Sequence, residues 1–220
     1  MNVIEKYRLE IKKYSFRDRD ILLYQTEDVD EFLDRISNEE YNRDERFPFF
    51  IRVWDSGYYL AKYLLEETPI SQIEGKRFLE LGGGSGIVGI AILLLGGKVI
   101  FSDYEEDALK IIDLNCKLNG LNEFKTIKGD WRDFPALDEK IDFLIASDVF
   151  YEQRFLTPLK NTAKRFLDGG ALFLLSDPGR EYCYEYLQTI QKNGYKTELK
   201  KVYKNQTTDM RNINIYHINL

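Results

Sequence analysis

Cysteine and histidine are scarce in this chain of 220 residues, which contains two cysteines and one histidine. Cys116 and Cys183 lie far apart, in segments predicted to be helical. We therefore expect buried, reduced thiols of a cytoplasmic protein, and neither a disulfide framework nor a cysteine metal site. His217 has no second ligand or catalytic partner in the sequence pattern, and it shares a predicted strand face with Ile213 and Ile215. We expect it to pack in a sheet and expect no metal site.

Long apolar runs are also missing. The longest, residues 87–95, is too short to span a bilayer, and no apolar run follows basic residues at the start of the chain. We therefore expect neither a membrane segment nor a signal peptide. The net charge of −6 and the pI near 5.1 disfavour a nucleic-acid backbone as partner. The length allows one large domain, or a domain with an N-terminal extension, with a sizeable core.

Glycine, in contrast, is concentrated at residues 82–86, between a predicted buried strand at 77–81 and a predicted helix at 87–95. Glycine permits positive φ and close approach of the backbone to a ligand. The following helix N-terminus offers N–H groups and a positive dipole end. A second predicted strand ends at Asp103, about 20 residues after Gly82, where a β-α-β unit places a carboxylate against ribose hydroxyls. The unit predicts a site for a nucleotide-like cofactor.

Two classes of cofactor fit this unit. Residues 84–89 match the G-x-G-x-x-G pattern of dinucleotide-binding folds, but Glu80 before the glycines would repel a pyrophosphate and would suit an ammonium group. The run at 80–86, E-L-G-G-G-S-G, resembles the first motif of the seven-strand (class I) S-adenosylmethionine-dependent methyltransferases. That resemblance implies S-adenosylmethionine as cofactor, held by Glu80, Gly82, Gly84, Gly86 and Asp103. A nicotinamide (NAD)-dependent oxidoreductase is the alternative from another class.

The order of predicted elements agrees with that family. Alternating apolar residues predict β structure over residues 1–25, as a hairpin outside the main sheet. A short helix at 29–36 and a charged loop at 37–47 follow. We divide the chain into an N-terminal extension, 1–50, and a methyltransferase domain, 51–220. The resemblance implies an α/β, Rossmann-like, doubly wound sheet of seven strands in the order 3-2-1-4-5-7-6, with the last strand antiparallel. Every cofactor candidate except Trp54 follows residue 79, so we expect the extension to serve the methyl acceptor rather than the cofactor.

Two tryptophans add to the cofactor site. Residues 48–55 resemble the P-Y-W-x-x-x-W-P segment of a methyltransferase branch, although Phe50 and Asp55 depart from it. That branch contains the protein-lysine methyltransferases related to the one that modifies the electron-transfer flavoprotein β subunit. The resemblance implies that Trp54 lines the cofactor pocket; a core aromatic is the alternative. Asp130 and Trp131 follow the third strand, where the family fold implies that Asp130 accepts a hydrogen bond from the adenine amino group and that Trp131 forms a wall for the base. A solvated turn aspartate is the alternative there.

A second motif, residues 148–152, follows the fourth predicted strand and resembles the D-x-F-Y-[DE] sequence of the same branch. The resemblance implies that Asp148 and Tyr151 are catalytic. A carboxylate can orient a neutral amine, and an aromatic ring favours a methylammonium product. The alternative is that Asp148 caps the next helix. No proline lies between residues 141 and 156, unlike the N/D/S-P-P-Y/F sequence of nucleic-acid amino-methylating enzymes.

The sequence therefore predicts a methyltransferase that acts on a lysine of a protein substrate, without a nucleic-acid or membrane partner. Alternatives are a small-molecule N- or O-methyltransferase, the oxidoreductase named above, and a catalytically silent cofactor-binding protein. The substrate's identity, the degree of methylation and the oligomeric state stay open.

Overall fold

The N-terminal residues form a small unit outside the main sheet in the computed structural model, which describes residues 2–26, 48–204 and 211–220. The unit consists of helix α1 (Val3–Tyr7) and the antiparallel strands β1 (Leu9–Phe16) and β2 (Arg19–Thr26). The predicted hairpin is confirmed. Helix α1 corrects the expectation of β structure from residue 1: the Asn2 side chain accepts a hydrogen bond from the Glu5 N–H at 2.9 Å and caps the helix. The helix and loop predicted for 29–47 lie outside the described residues, and the division at residue 50 stays a prediction.

The main sheet has seven strands. They are β3 (Arg77–Leu81), β4 (Lys98–Asp103), β5 (Lys125–Lys128), β6 (Phe143–Ser147), β7 (Leu172–Asp177), β8 (Lys196–Tyr203) and β9 (Ile213–Asn219). Their spatial order is β5-β4-β3-β6-β7-β9-β8, and β9 runs antiparallel to both of its neighbours. Counted from β3, this is the predicted order 3-2-1-4-5-7-6, so the predicted fold is confirmed.

Within the described residues, five helices flank the sheet. They are α2 (Asp55–Glu66), α3 (Ile87–Leu94), α4 (Glu106–Leu118), α5 (Gln153–Asp168) and α6 (Glu181–Lys192). Successive residues of β3 point to opposite faces, and both faces are apolar. Phe78 packs in the cluster that includes residues of α2 and α3, whereas Leu79 and Leu81 pack in the cluster that includes residues of α5 and α6. This double layer leaves the carboxyl ends of the parallel strands as the edge where a ligand can bind.

The scarce residues lie where they were expected. Cys116 and Cys183 are buried and not bridged. His217 packs edge-to-face against Tyr63 of α2, with ring centroids 6.2 Å apart, and burial lowers its pKa to about 4. Within the described part of the chain, no helix has both the length and the apolar character needed to cross a membrane.

Candidate active site

A cavity of about 660 Å³ opens at the carboxyl ends of β3, β4, β5 and β6, a size that suits a small-molecule ligand. Nine of the ten predicted site residues line it: Trp54, Glu80, Gly82, Gly84, Asp103, Asp130, Trp131, Asp148 and Tyr151. These residues come from segments far apart in the sequence. The fold brings them together because parallel strands end at the same edge of the sheet.

The glycine loop forms the floor of this cavity. Gly82 has a φ of 67° and Gly84 a φ of 53°, values in the region that favours glycine. A Cβ at Gly82 would lie 3.2 Å from Cγ1 of Val149 and 3.4 Å from the Trp131 ring, so a side chain there would crowd the cavity wall. The tenth predicted residue, Gly86, does not line the cavity. It precedes α3, and a Cβ on it would lie 3.3 Å from the Ile112 side chain of α4.

Glu80 is almost fully buried beneath this loop, with 2% of its surface exposed. Its Oε2 accepts a hydrogen bond from the Gly89 N–H at 3.2 Å. Gly89 is the third residue of α3, and the residue before that helix, Gly86, has no side chain to cap it. Glu80 therefore caps α3 from the neighbouring strand. Burial raises the pKa of the Glu80 carboxyl to about 8.

Asp103 ties the glycine loop to the end of β4. Its Oδ2 accepts a hydrogen bond from the Gly84 N–H at 3.0 Å, and its Oδ1 accepts one from the Glu105 N–H at 3.0 Å. Burial raises its pKa to about 6. A carboxylate has about four acceptor positions. Asp103 can therefore keep both backbone contacts and still accept bonds from ligand hydroxyls.

Asp130 and Trp131 form the wall after β5. Asp130 pairs with the Arg132 side chain, at 2.6 Å from Oδ2 to Nη2, and Oδ1 accepts a hydrogen bond from the Arg132 N–H at 2.9 Å. The Trp131 ring packs edge-to-face on Phe155, with centroids 5.9 Å apart, and approaches Gly82 as described above. The contact of Asp130 with a base stays a prediction, since Arg132 engages that carboxylate here.

Three aromatic rings form the opposite wall. The Phe49 ring lies 5.7 Å from Trp54 and 5.1 Å from Tyr151, centroid to centroid. The Trp54 Nε1–H donates to the Phe49 carbonyl at 2.8 Å, which fixes the indole against the cavity. The Arg52 guanidinium lies 4.5 Å from the Trp54 ring centroid. Tyr151 is largely enclosed, and burial raises its pKa.

Asp148 stands at the end of β6 in a left-handed conformation, with a φ of 54°. Its N–H donates to the Ser176 carbonyl at 2.9 Å, and its Oδ1 accepts a hydrogen bond from Arg180 Nε at 2.5 Å. It does not cap the following helix, since the N-cap residue of α5 is Glu152. Arg180 was not predicted from the sequence. Its only signal was a position just past the fifth strand of the sheet, and Asp177 holds its N–H at 2.7 Å.

Metal binding has no structural basis in the parts of the chain described above. No group of three or more His, Cys, Asp or Glu side chains there could hold a metal ion.

The sheet order, the glycine loop after the first parallel strand and the cavity beside it define a Rossmann-like methyltransferase fold. A model of the family described as lysine methyltransferase matches residues 42–193, which is more than half of the chain. The protein belongs to this lysine methyltransferase family. The predicted family and the methyltransferase class are therefore confirmed.

Curated relatives agree with this assignment. The chain is 33% identical over 135 residues to the electron transfer flavoprotein beta subunit lysine methyltransferase of Mus musculus, covering 60% of this chain and 51% of that protein. It is 31% identical over 172 residues to EEF1A lysine methyltransferase 3 of Xenopus tropicalis, covering 76% and 73%. A histidine protein methyltransferase 1 homolog of Dictyostelium discoideum is 34% identical over 131 residues, with 57% and 42% covered. The chain spans about half the length of the mouse relative.

Solved structures share the fold. The 16S rRNA N2 G1207 methyltransferase of T. thermophilus, solved with AdoMet and guanosine, aligns with a TM-score of 0.68 at 14% identity, covering 96% of this chain and 50% of that one. At this identity the likeness shows the fold alone.

Proposed function

We propose that the protein transfers a methyl group from S-adenosylmethionine to the side-chain nitrogen of a lysine in a protein substrate. One observation carries the proposal: the carboxylate of Asp148 and the rings of Phe49, Trp54 and Tyr151 share one cavity with the glycine loop. Membership of the lysine methyltransferase family supports the same acceptor.

The residues at the glycine loop fit this cofactor. When bound, S-adenosylmethionine supplies a methyl group on a sulfonium, together with an ammonium, a carboxylate, a ribose and an adenine. Two buried carboxyls flank the loop: Asp103 has acceptor positions left for the ribose hydroxyls, and the protonated Glu80 carboxyl can accept a hydrogen bond from the ammonium group. The space above Gly82, which a Cβ would fill, lies between Val149 and the Trp131 ring and suits a flat, apolar group. Membership of the lysine methyltransferase family disfavours the oxidoreductase alternative.

The residues at the end of β6 fit an amine acceptor. Arg180 occupies Oδ1 of Asp148, so Oδ2 can accept a hydrogen bond from the acceptor nitrogen and orient its lone pair. The rings of Tyr151, Phe49 and Trp54 exclude water from this side of the cavity. Their faces also favour a methylammonium product through cation–π attraction. Methyl transfer needs this alignment and no covalent nucleophile.

The proposal also covers the kind of molecule that carries the acceptor group and where the reaction takes place. The named substrates of the mouse and frog relatives are proteins, and the net charge of −6 disfavours a nucleic acid here. The buried, unbridged thiols of Cys116 and Cys183 support a cytoplasmic site of action. A histidine acceptor is the second candidate, because the Dictyostelium relative is named as a histidine protein methyltransferase.

The test is incubation of the purified protein with tritiated S-adenosylmethionine and undialysed cell lysate, followed by separation of polypeptides from small molecules, hydrolysis of the labelled polypeptides and amino-acid analysis. We expect label in methyl-lysine. The Asp148→Asn substitution should lower turnover by raising the activation barrier by about 2.7–4 kcal/mol, the magnitude for the loss of one preorganised electrostatic contact. The affinity of this variant for S-adenosylhomocysteine should stay unchanged. Asp113→Asn, which alters an exposed carboxylate on α4 paired with Lys117, is the matched control and should behave as wild type.

Two further variants separate the ring from the hydroxyl at residue 151. Tyr151→Ala should lower turnover in the same direction as Asp148→Asn, and Tyr151→Phe should do so more mildly, because it keeps the ring. Label only in a small molecule would contradict the protein acceptor. Equal turnover of Asp148→Asn and Asp113→Asn would remove Asp148 from the reaction, and label in methyl-histidine would favour the second candidate.

A further inference from the structure

Asn115 of α4 connects the N-terminal hairpin to the glycine loop. Its side chain is completely buried. Its Oδ1 accepts a hydrogen bond from the Tyr24 N–H of β2 at 2.7 Å, and its Nδ2 donates to the Ser85 carbonyl at 2.8 Å. Ser85 lies between two glycines of the loop and lines the cavity. One amide group thus joins a backbone group of the hairpin to a backbone group of the cofactor loop.

Asn119, the C-cap residue of α4 one turn after Asn115, provides a matched comparison for Asn115. Its Oδ1 accepts a hydrogen bond from the Leu22 N–H at 2.9 Å, and its Nδ2 donates to the Leu22 carbonyl and the Asn115 carbonyl, each at 2.7 Å. Both asparagines therefore hold β2 against α4 through backbone hydrogen bonds. Of the two, the one with a bond to the glycine loop is Asn115.

The hairpin reaches the opposite wall of the cavity by a second route. Gln25, at the end of β2, is buried, and its Oε1 accepts hydrogen bonds from the Val53 N–H at 3.2 Å and the Tyr14 hydroxyl at 2.7 Å. Val53 immediately precedes Trp54, the indole of the aromatic wall. Consecutive residues of β2, Tyr24 and Gln25, are thus tied to the glycine loop and to the aromatic wall.

A third contact comes from α1. The Tyr7 ring packs edge-to-face on Phe50 at 5.3 Å between centroids. A Cβ at Gly84 would lie 4.0 Å from the Phe50 Cα, so the backbone at Phe50 passes directly over the glycine loop. The N-terminal unit therefore reaches the loop by two routes, through Asn115 of α4 and through Phe50.

We propose that the N-terminal hairpin is a positioning element of the cofactor site and that Asn115 is the positioning residue that joins it to the glycine loop. This rests on the proposed function only in that the cavity binds S-adenosylmethionine. It departs from the sequence-based expectation that the N-terminal extension serves the methyl acceptor rather than the cofactor. Because coupling between two sites is reciprocal, occupancy of the loop should in turn steady the hairpin.

The first experiment compares Asn115→Asp with Asn119→Asp. Each replacement keeps an oxygen to accept from a β2 N–H, and each turns an amide donor into a carboxylate oxygen that faces a carbonyl. The Ser85 carbonyl loses its donor in Asn115→Asp but keeps it in Asn119→Asp. We expect calorimetry with S-adenosylhomocysteine to show at least tenfold weaker binding by Asn115→Asp, the effect of a buried carbonyl left unpaired. Asn119→Asp should stay within about twofold of wild type, although both variants should melt earlier.

The second experiment uses the wild-type protein and does not depend on the folding of a variant. Amide hydrogen exchange is measured by NMR with and without S-adenosylhomocysteine. We expect the ligand to slow exchange of the Tyr24 N–H, whose acceptor is Asn115. Equal S-adenosylhomocysteine affinity of the two variants, or Tyr24 exchange that the ligand leaves unchanged, would overturn the proposal. Failure of wild type to bind S-adenosylhomocysteine at all would instead refute the proposed function, and this inference with it.

Discussion

Replacement of Glu80 by glutamine tests whether a protonated carboxyl lies under the glycine loop. Burial raises the pKa of Glu80 from 4.5 to about 8, and its Oε2 accepts a hydrogen bond from the Gly89 N–H at 3.2 Å. Glutamine has nearly the same shape, is neutral at every pH and can accept the same bond. The Glu80→Gln variant should therefore keep the fold and lose the titration.

The sign of the effect follows from the two pKa values. The unfolded chain releases the Glu80 proton near the ordinary value of 4.5, while the folded protein holds it up to about pH 8. The stability that this carboxyl contributes is thus complete below pH 4.5 and is lost as the pH rises towards 8. At about 1.4 kcal/mol per pH unit per proton, roughly 2 kcal/mol is lost between about pH 6.5 and about pH 8. The burial of Asp103 acts in the same direction at lower pH, since its pKa is raised to about 6.

Urea unfolding of wild type and the variant at these two pH values measures the difference. Wild type should lose about 2 kcal/mol more of its unfolding free energy than Glu80→Gln over this interval. Parallel loss in the two proteins would show that Glu80 is not the group that titrates. Wild type that gains stability relative to the variant as the pH rises would refute the burial argument itself.

Three further predictions concern single side chains. Gly89→Ala should destabilise the protein by roughly 1–3 kcal/mol, although alanine usually stabilises a helix, because the new Cβ would lie 2.5 Å from Cζ of Phe101. Thermal melts measure this, and an unchanged melting temperature would contradict it. Asp103→Ala should weaken S-adenosylhomocysteine binding by roughly 1.5–3 kcal/mol per charge-assisted bond to the ribose, measured by calorimetry, and unchanged affinity would mean that Asp103 does not hold it. Because burial lowers the pKa of His217 to about 4, wild type should lose stability as the pH falls from about 6.5 towards 4. His217→Phe should not show this loss, and equal acid sensitivity of the two proteins in unfolding measurements would argue against the prediction.

The sheet and the glycine loop could be predicted from the sequence because their signals are local. Apolar runs as long as a strand alternate with segments whose apolar residues recur at helical spacing, and the glycines lie between a strand and a helix. The end of each parallel strand then lies at one edge, which is why Trp131 and Asp148 reach the same cavity. Gly86 was assigned to the cofactor by the same pattern, but a Cβ on it would face Ile112 of α4, a neighbour that lies far away in the sequence.

The pair formed by Asp148 and Arg180 could not be predicted. The two residues are 32 positions apart and belong to different strand ends, so no local pattern joins them. Helix α1 was missed for another reason. It is five residues long, and the single N-cap at Asn2 favours a helix there despite the alternating apolar and polar residues of the segment that follows.

The left-handed backbone at Asp148 limits which residues can stand there. A φ of 54° costs most side chains about 1–2 kcal/mol, whereas glycine, asparagine and aspartate adopt it readily. Glutamate carries the same charge but would be strained in this backbone conformation. An Asp148→Glu substitution would therefore change the side-chain length and the backbone strain at the same time. A saturation library at this position would therefore rank residues partly by conformational tolerance. Replacement by asparagine tests the charge alone, and replacement by glycine tests the whole side chain. A mutational scan at this position is best interpreted from those two variants.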